Sequence, residues 1–447
     1  MIDFAREKDF KLDKHAPAGL IRALGLGALI IYGIGDILGA GIYAIIGKIA
    51  GHAGPLTWLS FAVAMGIVFL TAFTYSELAS RFPRSGGVSV YVLEAFDCQW
   101  LSLLAGLLLL GATILSMSTL SHAFVGYLRA LGFNLPNWLG VSGFLILLLL
   151  INMRGIKQSS FANIVSTMVE VSGLLIVLGC GFWYLSSEHI EALVTPADQM
   201  PGMNDVFQGA ALAFFAFTGF EDLANIAEEV KKPKVNIPRA ILSSLGTAGL
   251  LYLGVSWMAT AIIPGSELSQ SNAPLLDVVS KAYPALPQFI FIIIALFAIF
   301  NTTLLNYITA SRLLYGMSTS HLLPGFIYKV HPKFHTPYIA ILLIFPLILG
   351  LGLAGSMKNL ASSTSALVLV VFSLSCVSLV VMKLRRSNKG MGKDVFCIPL
   401  FIPCLAVVLN VMAIAFLPLK DVIPAVVFIA LGGLITWFIM RSFRAKH

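Results

Sequence analysis

Charge is what this sequence lacks most. Of its 447 residues 11% are Asp, Glu, Lys or Arg and 58% are hydrophobic, whereas soluble domains carry about 25% charged residues. Together with a mean hydropathy of +0.91, this excludes a soluble globular enzyme. Cysteine is sparse as well. Cys98, Cys180, Cys376, Cys397 and Cys404 are dispersed, mostly in apolar stretches, with no CxxC or Cys/His spacing among them. An odd, scattered set excludes a disulfide framework and supplies no metal site. Residues 1–19 carry charges and no apolar core, so no cleavable secretory signal is expected and the first apolar span would direct insertion.

What the chain has in abundance is long apolar runs. A membrane-crossing helix needs about 20 mostly apolar residues. Twelve such stretches fall near 22–50, 54–80, 98–127, 137–153, 159–186, 205–230, 238–263, 286–317, 336–354, 360–383, 397–418 and 421–440. They are continuous rather than alternating, which favours helices over a β-barrel. The expected fold is an all-α integral membrane bundle of 12 transmembrane helices. With the loops taken alternately, 24 of the 29 Lys and Arg fall on the side of the N-terminal tail, and Lys48, Arg129, Lys281, Lys358 and Lys420 on the other. The positive-inside rule then puts both termini in the cytoplasm of a multi-pass cell-membrane protein. The acidic, Lys/Arg-free segment 188–205 falls outside. Topology accounts for the net charge of +8, so nucleic acid is not an expected partner.

Two spans break the rule that a lipid-facing helix is apolar and unbroken. The first reads Tyr32-Gly33-Ile34-Gly35-Asp36-Ile37-Leu38-Gly39-Ala40-Gly41-Ile42-Tyr43. Its glycines either let the backbone unwind at mid-membrane or form a small-residue packing face, as in Gly35…Gly39. The sixth reads Phe214-Phe215-Ala216-Phe217-Thr218-Gly219-Phe220-Glu221-Asp222. Interruptions in corresponding spans point to a duplicated five-helix unit with a midplane site between the halves. Half-helix N-termini would offer N–H groups to a carboxylate, and freed carbonyls would accept from an ammonium, so the natural ligand is a zwitterion.

Embedded carboxylates cost about 2.5–3.5 kcal/mol each on insertion scales unless they face a polar interior. Asp36, Glu221 and Glu170 are therefore candidates to carry a proton or a coupling ion, Glu170 equally a structural carboxyl bonded to a neighbouring helix. Asn301, Thr302, Thr303 and Asn306 place oxygens at helical spacing in the eighth span. They suit either a sodium-like site or interhelical hydrogen bonding. Glu77, Arg81, Arg84, Glu228, Glu229 and Arg239 stand at span ends and are expected to form gate-holding ion pairs. A membrane-embedded enzyme would need a nucleophile–base pair or metal set inside the spans, and none is evident; no cofactor is expected.

An ordered set of motifs runs along the chain: Gly39-Ala40-Gly41-Ile42-Tyr43, Ala53-Gly54-Pro55, Tyr75-Ser76-Glu77-Leu78, Phe82-Pro83-Arg84-Ser85-Gly86-Gly87, Asn152-Met153-Arg154-Gly155-Ile156-Lys157, Gly219-Phe220-Glu221, Glu228-Glu229-Val230 and Ser311-Arg312-Leu313-Leu314-Tyr315-Gly316-Met317. By this set the chain, from about residue 20 to 385, resembles the amino acid–polyamine–organocation (APC) superfamily, nearest its cationic amino acid transporter branch and bacterial relatives. It implies a five-plus-five inverted repeat, 22–186 and 205–383, with broken helices 1 and 6. A tail at 1–21, loops at 187–204 and 384–396, two further helices in 397–440 and a tail at 441–447 would complete the chain. It also implies alternating-access transport of amino acids or related amines, with a proton or sodium as coupling ion. By position, Gly39, Ala40, Gly41 and Ile42 would bind the substrate carboxylate, and carbonyls around Ile37 and of Phe214, Phe217 and Thr218 the amine. Phe215 or Phe217 would serve as an aromatic gate or as packing, and Glu221 would sense or couple protons. Asp36, where relatives are commonly small or amidic, hints at a cationic substrate or an extra proton site. Glu170 stands where several proton-coupled relatives have lysine, which leaves the ion open. An exchanger, a sodium-coupled symporter and, more remotely, a non-transporting receptor or embedded enzyme remain the alternatives.

Overall fold

The computed structural model describes residues 22–441 apart from 134, 187–199, 272, 355–356, 387–388, 417–425, 427 and 438–440. The tail at 1–21, most of the loop at 187–204, the start of the twelfth span and the tail beyond 441 lie outside the described residues. Helices follow one another as α1 (Leu26–Leu38), α2 (Ala40–Ala53), α3 (Thr57–Arg81), α4 (Gly87–Phe96), α5 (Gln99–Ala130), α6 (Asn137–Met153), α7 (Ile156–Ser186) and α8 (Met203–Ala216). They continue as α9 (Asp222–Asn225), α10 (Pro233–Ile262), α11 (Gly265–Leu268), α12 (Pro274–Ala282), α13 (Gln288–Thr319), α14 (Tyr338–Ala354), α15 (Met357–Leu384) and α16 (Phe401–Phe416). A further apolar helix covers Phe428–Trp437. Among the described residues there is no β-strand beyond one isolated bridge.

Seven of the described helical stretches are long and apolar enough to cross a membrane, and five apolar helices are shorter. The protein is a multi-pass membrane protein. α5 and α13, each 32 residues, reach about 48 Å at 1.5 Å rise per residue. That exceeds the roughly 30 Å hydrocarbon thickness, so they tilt or project beyond it. Large apolar side chains such as Trp138, Phe161, Phe182, Leu250 and Phe401 stand exposed on the outside of the bundle, where lipid rather than water covers them. α1 packs against α7, α10 and α13, and α8 against α2 and α3, so both interrupted helices lie inside.

Three helices were not expected from hydropathy, among them the single turn of α11. α4 occupies the loop after the second span, where Gly86 (φ +107°) and Gly87 (φ +41°) turn the chain sharply. A Cβ on Gly316 would collide with Ser85 O and one on Gly87 would lie 2.6 Å from Asn225 Oδ1, so this turn is pressed against α13 and α9. The Ser85 amide donates to Glu228 Oε1 at 3.0 Å. α12, in the same loop as α11, starts at Ala273-Pro274 and is too brief for a span.

The same end of the bundle is tied by buried charges and by main chain. Arg312, fully buried on α13, pairs with Glu229 at 2.8 Å and bonds Asn152 Oδ1 of α6 at 3.1 Å. The Leu24 amide donates to Glu229 O at 3.0 Å and the Lys231 amide to Leu24 O at 2.8 Å, a parallel bridge between the start of α1 and the chain after α9. Glu77 accepts from Arg81, from Lys383 at 2.8 Å and from the Ile398 amide at 2.8 Å. That joins α3 to α15 and to the segment before α16. Of the charged residues expected to form gate pairs, Glu77, Arg81 and Glu229 are in ion pairs, Glu228 accepts from the Ser85 amide, and Arg84 and Arg239 are exposed.

Candidate functional site

The first interruption falls at Gly39, where φ −29° and ψ −163° end α1 and start α2. A Cβ on Gly39 would collide with the Thr302 hydroxyl, and one on Gly35 with the Thr167 hydroxyl, 2.6 Å from Asn301 Nδ2. The second falls after Ala216, where Gly219 takes φ +119°, a conformation that L side chains rarely adopt. A Cβ there would lie 2.9 Å from Asp36 C and 3.1 Å from Asp36 Cγ. A Cβ on Gly41 would lie 3.3 Å from Ala216 Cα, so the two breaks abut. Unwinding and close packing, posed by the sequence as alternatives, occur together. The glycines admit polar side chains of α7 and α13 rather than an apolar helix face.

Three carboxyls gather at this junction. Asp36, Glu221 and Asp222 are each 4% exposed. Glu221 Oε2 accepts from the Gly219 amide at 2.8 Å, which turns that carboxylate back onto the break. Asp36 and Asp222 interact electrostatically across the junction, and both feel Glu221. Tyr32, one turn before Asp36, feels the charge of both, and Thr309 of α13 interacts with Tyr32 and with Asp222. Among the described residues the ion pairs involve Glu77, Glu94 and Glu229, so no basic side chain is paired to these three.

Glu170 sits in a second polar cluster on the far side of α1. Asn301 Nδ2 reaches Glu170 Oε2 at 3.0 Å, Gly35 O at 3.3 Å and Thr167 Oγ1 at 3.3 Å, and Thr167 donates to Asn163 Oδ1 at 3.1 Å. Glu170 Oε1 and Asn301 Oδ1 are buried without a donor. Thr302 and Thr303 donate back to Ala298 O and Ile299 O of their own helix at 3.1 and 2.6 Å. Asn306 donates to Ser116 of α5 at 3.2 Å.

The backbone acceptors of the breaks are filled from within. The Tyr252 hydroxyl of α10 reaches both Ile37 O and, at 3.1 Å, Ala216 O, and Phe214 O accepts from the Phe217 amide at 3.1 Å. Buried carbonyls need such partners. Phe217 is fully buried, 5.2 Å from the Tyr252 ring and 6.2 Å from Phe61, and Phe214 packs on Phe372 at 5.9 Å. Ile42 is buried and Thr218 half-buried. Ala40 and Phe215 lie in helices, and their side chains are outside the described part. Gly39 caps α2 with no side-chain hydrogen bond, so the first amides of that helix depend on something other than a side-chain cap.

A family model for amino acid permeases matches residues 24–441. The chain belongs to the amino acid permease family. This permease is 30% identical over 452 residues to the methylthioribose transporter of Bacillus subtilis, covering 95% of this chain and 94% of the relative. It is 29% identical over 450 residues to the branched-chain amino acid permease BcaP of the same organism, with the same coverage. With the chloroplastic cationic amino acid transporter 9 of Arabidopsis thaliana it shares 32% over 336 residues, which is 70% of this chain but 58% of that relative. The permease thus spans nearly the whole bacterial relatives and little more than half of the plant one.

Sequence reasoning passed over several residues that complete the permease's junction. Asp222 was visible as the neighbour of Glu221 but was read as part of one anomaly. Arg312 is a charge inside the eighth span and carried its own signal as such. Tyr32, Tyr252, Thr167 and Thr309 carried none, because isolated hydroxyls in apolar runs are ordinary.

Proposed function

We propose that this permease is a secondary active transporter that moves amino acids by alternating access, coupled to protons, with cationic amino acids or related amines as the favoured substrates. The observation that carries this reading is the junction of the two broken helices, where Asp36, Glu221 and Asp222 lie buried with no paired basic side chain. In a medium that solvates charge poorly, such a junction attracts a cationic ligand or protons. The amides that open α2 and lack a side-chain cap suit the substrate carboxylate through the helix dipole. Backbone carbonyls at Ile37 and Ala216 suit the amine, with Tyr252 holding them in the packed state. The twelve-helix count, the inverted repeat and the cytoplasmic placement of both termini belong to the same proposal.

A sodium-coupled or exchanging mode is the second reading. It is favoured by the two donor-free oxygens, Glu170 Oε1 and Asn301 Oδ1, in the α1–α7–α13 cluster, since hard cations take oxygen ligands. Uptake into proteoliposomes tests both readings, with the twenty amino acids and polyamines as competitors, with and without sodium, at two pH values. Competition led by lysine, arginine or a polyamine and driven by a proton gradient without sodium supports the first. Sodium dependence supports the second, and no uptake of any amino acid or amine refutes transport of this class.

A further inference from the structure

We propose that the segment 389–396, together with the start of α10, binds the headgroup of one anionic phospholipid from the surrounding bilayer, with Lys234 and Lys393 holding its phosphate. Lys393 follows Gly392 in the chain, and a Cβ on Gly392 would lie 3.6 Å from Lys234 Nζ, so the two residues are neighbours in space. Among the described residues neither is in an ion pair. The frame beneath them is fixed. The Phe396 amide donates to Ser80 Oγ at 2.9 Å and Ser80 donates to Lys234 O at 2.7 Å, which joins the segment to the end of α3 and the start of α10. Gly390 takes φ +71°, and a Cβ there would lie 2.6 Å from Arg81 O, so the segment rests directly on the last turn of α3. A surface that is already ordered loses less freedom when a ligand arrives.

Charge and hydropathy together indicate what this frame takes. Arg81, Lys234, Lys383, Arg385, Lys389 and Lys393 gather at the segment, with Glu77, Glu94 and Asp394 to balance them. Glu77 is already engaged by both Arg81 and Lys383. Glu94 lies 3.6 Å from Lys389 with both side chains partly exposed, an arrangement that contributes little. Asp394, beside Lys393, is exposed and in no ion pair among the described residues. Beneath the segment Arg81, 6% exposed, has Nε and Nη1 without an acceptor. The surplus is therefore positive and held in place. A lipid fits it better than a soluble anion, because apolar side chains flank the cations: Leu384, 66% exposed, ends α15, Phe401, 64% exposed, begins α16, and Met391, 45% exposed, lies within the segment. Residues of this kind lie in the hydrocarbon and set the lysines at the height of the headgroups, where anionic lipid attracts juxtamembrane cations.

This site involves neither the substrate nor the coupling ion, so it stands or falls apart from the transport reading. The measurement is native mass spectrometry of the full-length protein titrated with phosphatidylglycerol or with phosphatidylcholine. The unaltered chain is expected to retain one phosphatidylglycerol in preference to phosphatidylcholine. Lys234→Gln with Lys393→Gln is expected to lower that affinity roughly thirtyfold, at about fivefold for each lysine. Gly392→Glu, at a position where a Cβ makes only ordinary contact with Lys234, is expected to lower it as well, by giving that lysine a partner within the chain. Lys329→Gln with Lys333→Gln removes equal charge from exposed positions in the loop after α13 and is expected to leave the affinity unchanged. Equal retention of the two lipids, an affinity unmoved by the Lys234 and Lys393 pair of substitutions or by Gly392→Glu, or an equal loss in the Lys329 and Lys333 control would overturn the proposal. Displacement of the lipid by millimolar inorganic phosphate would assign the site to a soluble anion and overturn it too.

Discussion

Replacing Glu229 by glutamine is expected to loosen the end of the bundle that Arg312 ties together. The guanidinium is fully buried and its ion pair measures 2.8 Å. Removing one partner of a buried pair costs about 3–5 kcal/mol, because the other charge is left without compensation. Arg312 would keep Asn152 Oδ1 at 3.1 Å and Ser311 Oγ at 2.8 Å, which puts the cost near the lower bound, about 3 kcal/mol. If the open arrangement hydrates Arg312, that cost falls on the closed one alone and shifts the balance roughly a hundredfold. The Leu24 and Lys231 amides, bonded to Glu229 O and Leu24 O, report the opening through hydrogen–deuterium exchange followed by mass spectrometry. Both are expected to exchange roughly a hundredfold faster. Substituting the pair together, Glu229→Leu with Arg312→Met, is expected to restore slow exchange, since apolar replacement of a buried pair is often neutral or stabilising. Unchanged exchange in Glu229→Gln, or a double variant as fast as the single one, would refute the reasoning.

Three further outcomes test the junction. Gly39→Ala puts a methyl into the Thr302 hydroxyl and is expected to cost about 1–3 kcal/mol by overpacking, lowering the melting temperature; adding Thr302→Ala is expected to recover most of it. Tyr252→Phe leaves Ile37 O and Ala216 O without their shared donor, a loss of about 1–3 kcal/mol, and an unchanged thermal transition would show that these carbonyls have another partner. Asp36→Asn is expected to reduce lysine uptake far more than alanine uptake, and equal losses would remove the case for a cationic substrate.

The elements most legible in the sequence are those that violate a rule of their surroundings. Gly39-Ala40-Gly41 and Thr218-Gly219 are anomalies within apolar runs, and the chain is interrupted at both places. α4, α11 and α12 were not legible because hydropathy separates membrane from loop but does not resolve a short helix within a loop. Side-chain partnerships were the least legible. Arg312 and Glu229 are 83 positions apart in sequence, and Asp36 meets the second break only because Gly219 has no Cβ. Tyr252 illustrates the limit from the other side: its phenol satisfies two carbonyls that the sequence leaves bare, and nothing in its own neighbourhood marks it.

The bridge between Leu24 and Val230 is made of peptide groups alone, while the side chains at both positions are buried in the apolar core. Apolar replacements of similar size leave its donors and acceptors in place. Proline is the exception, because at 24 or 231 it would delete a donor outright. The neighbouring Arg312 clasp has the opposite character, failing at a single letter. One end of the molecule is therefore secured twice at one residue, Glu229, whose carbonyl holds the main-chain stitch and whose carboxylate holds the buckle, so that releasing the second is felt by the first.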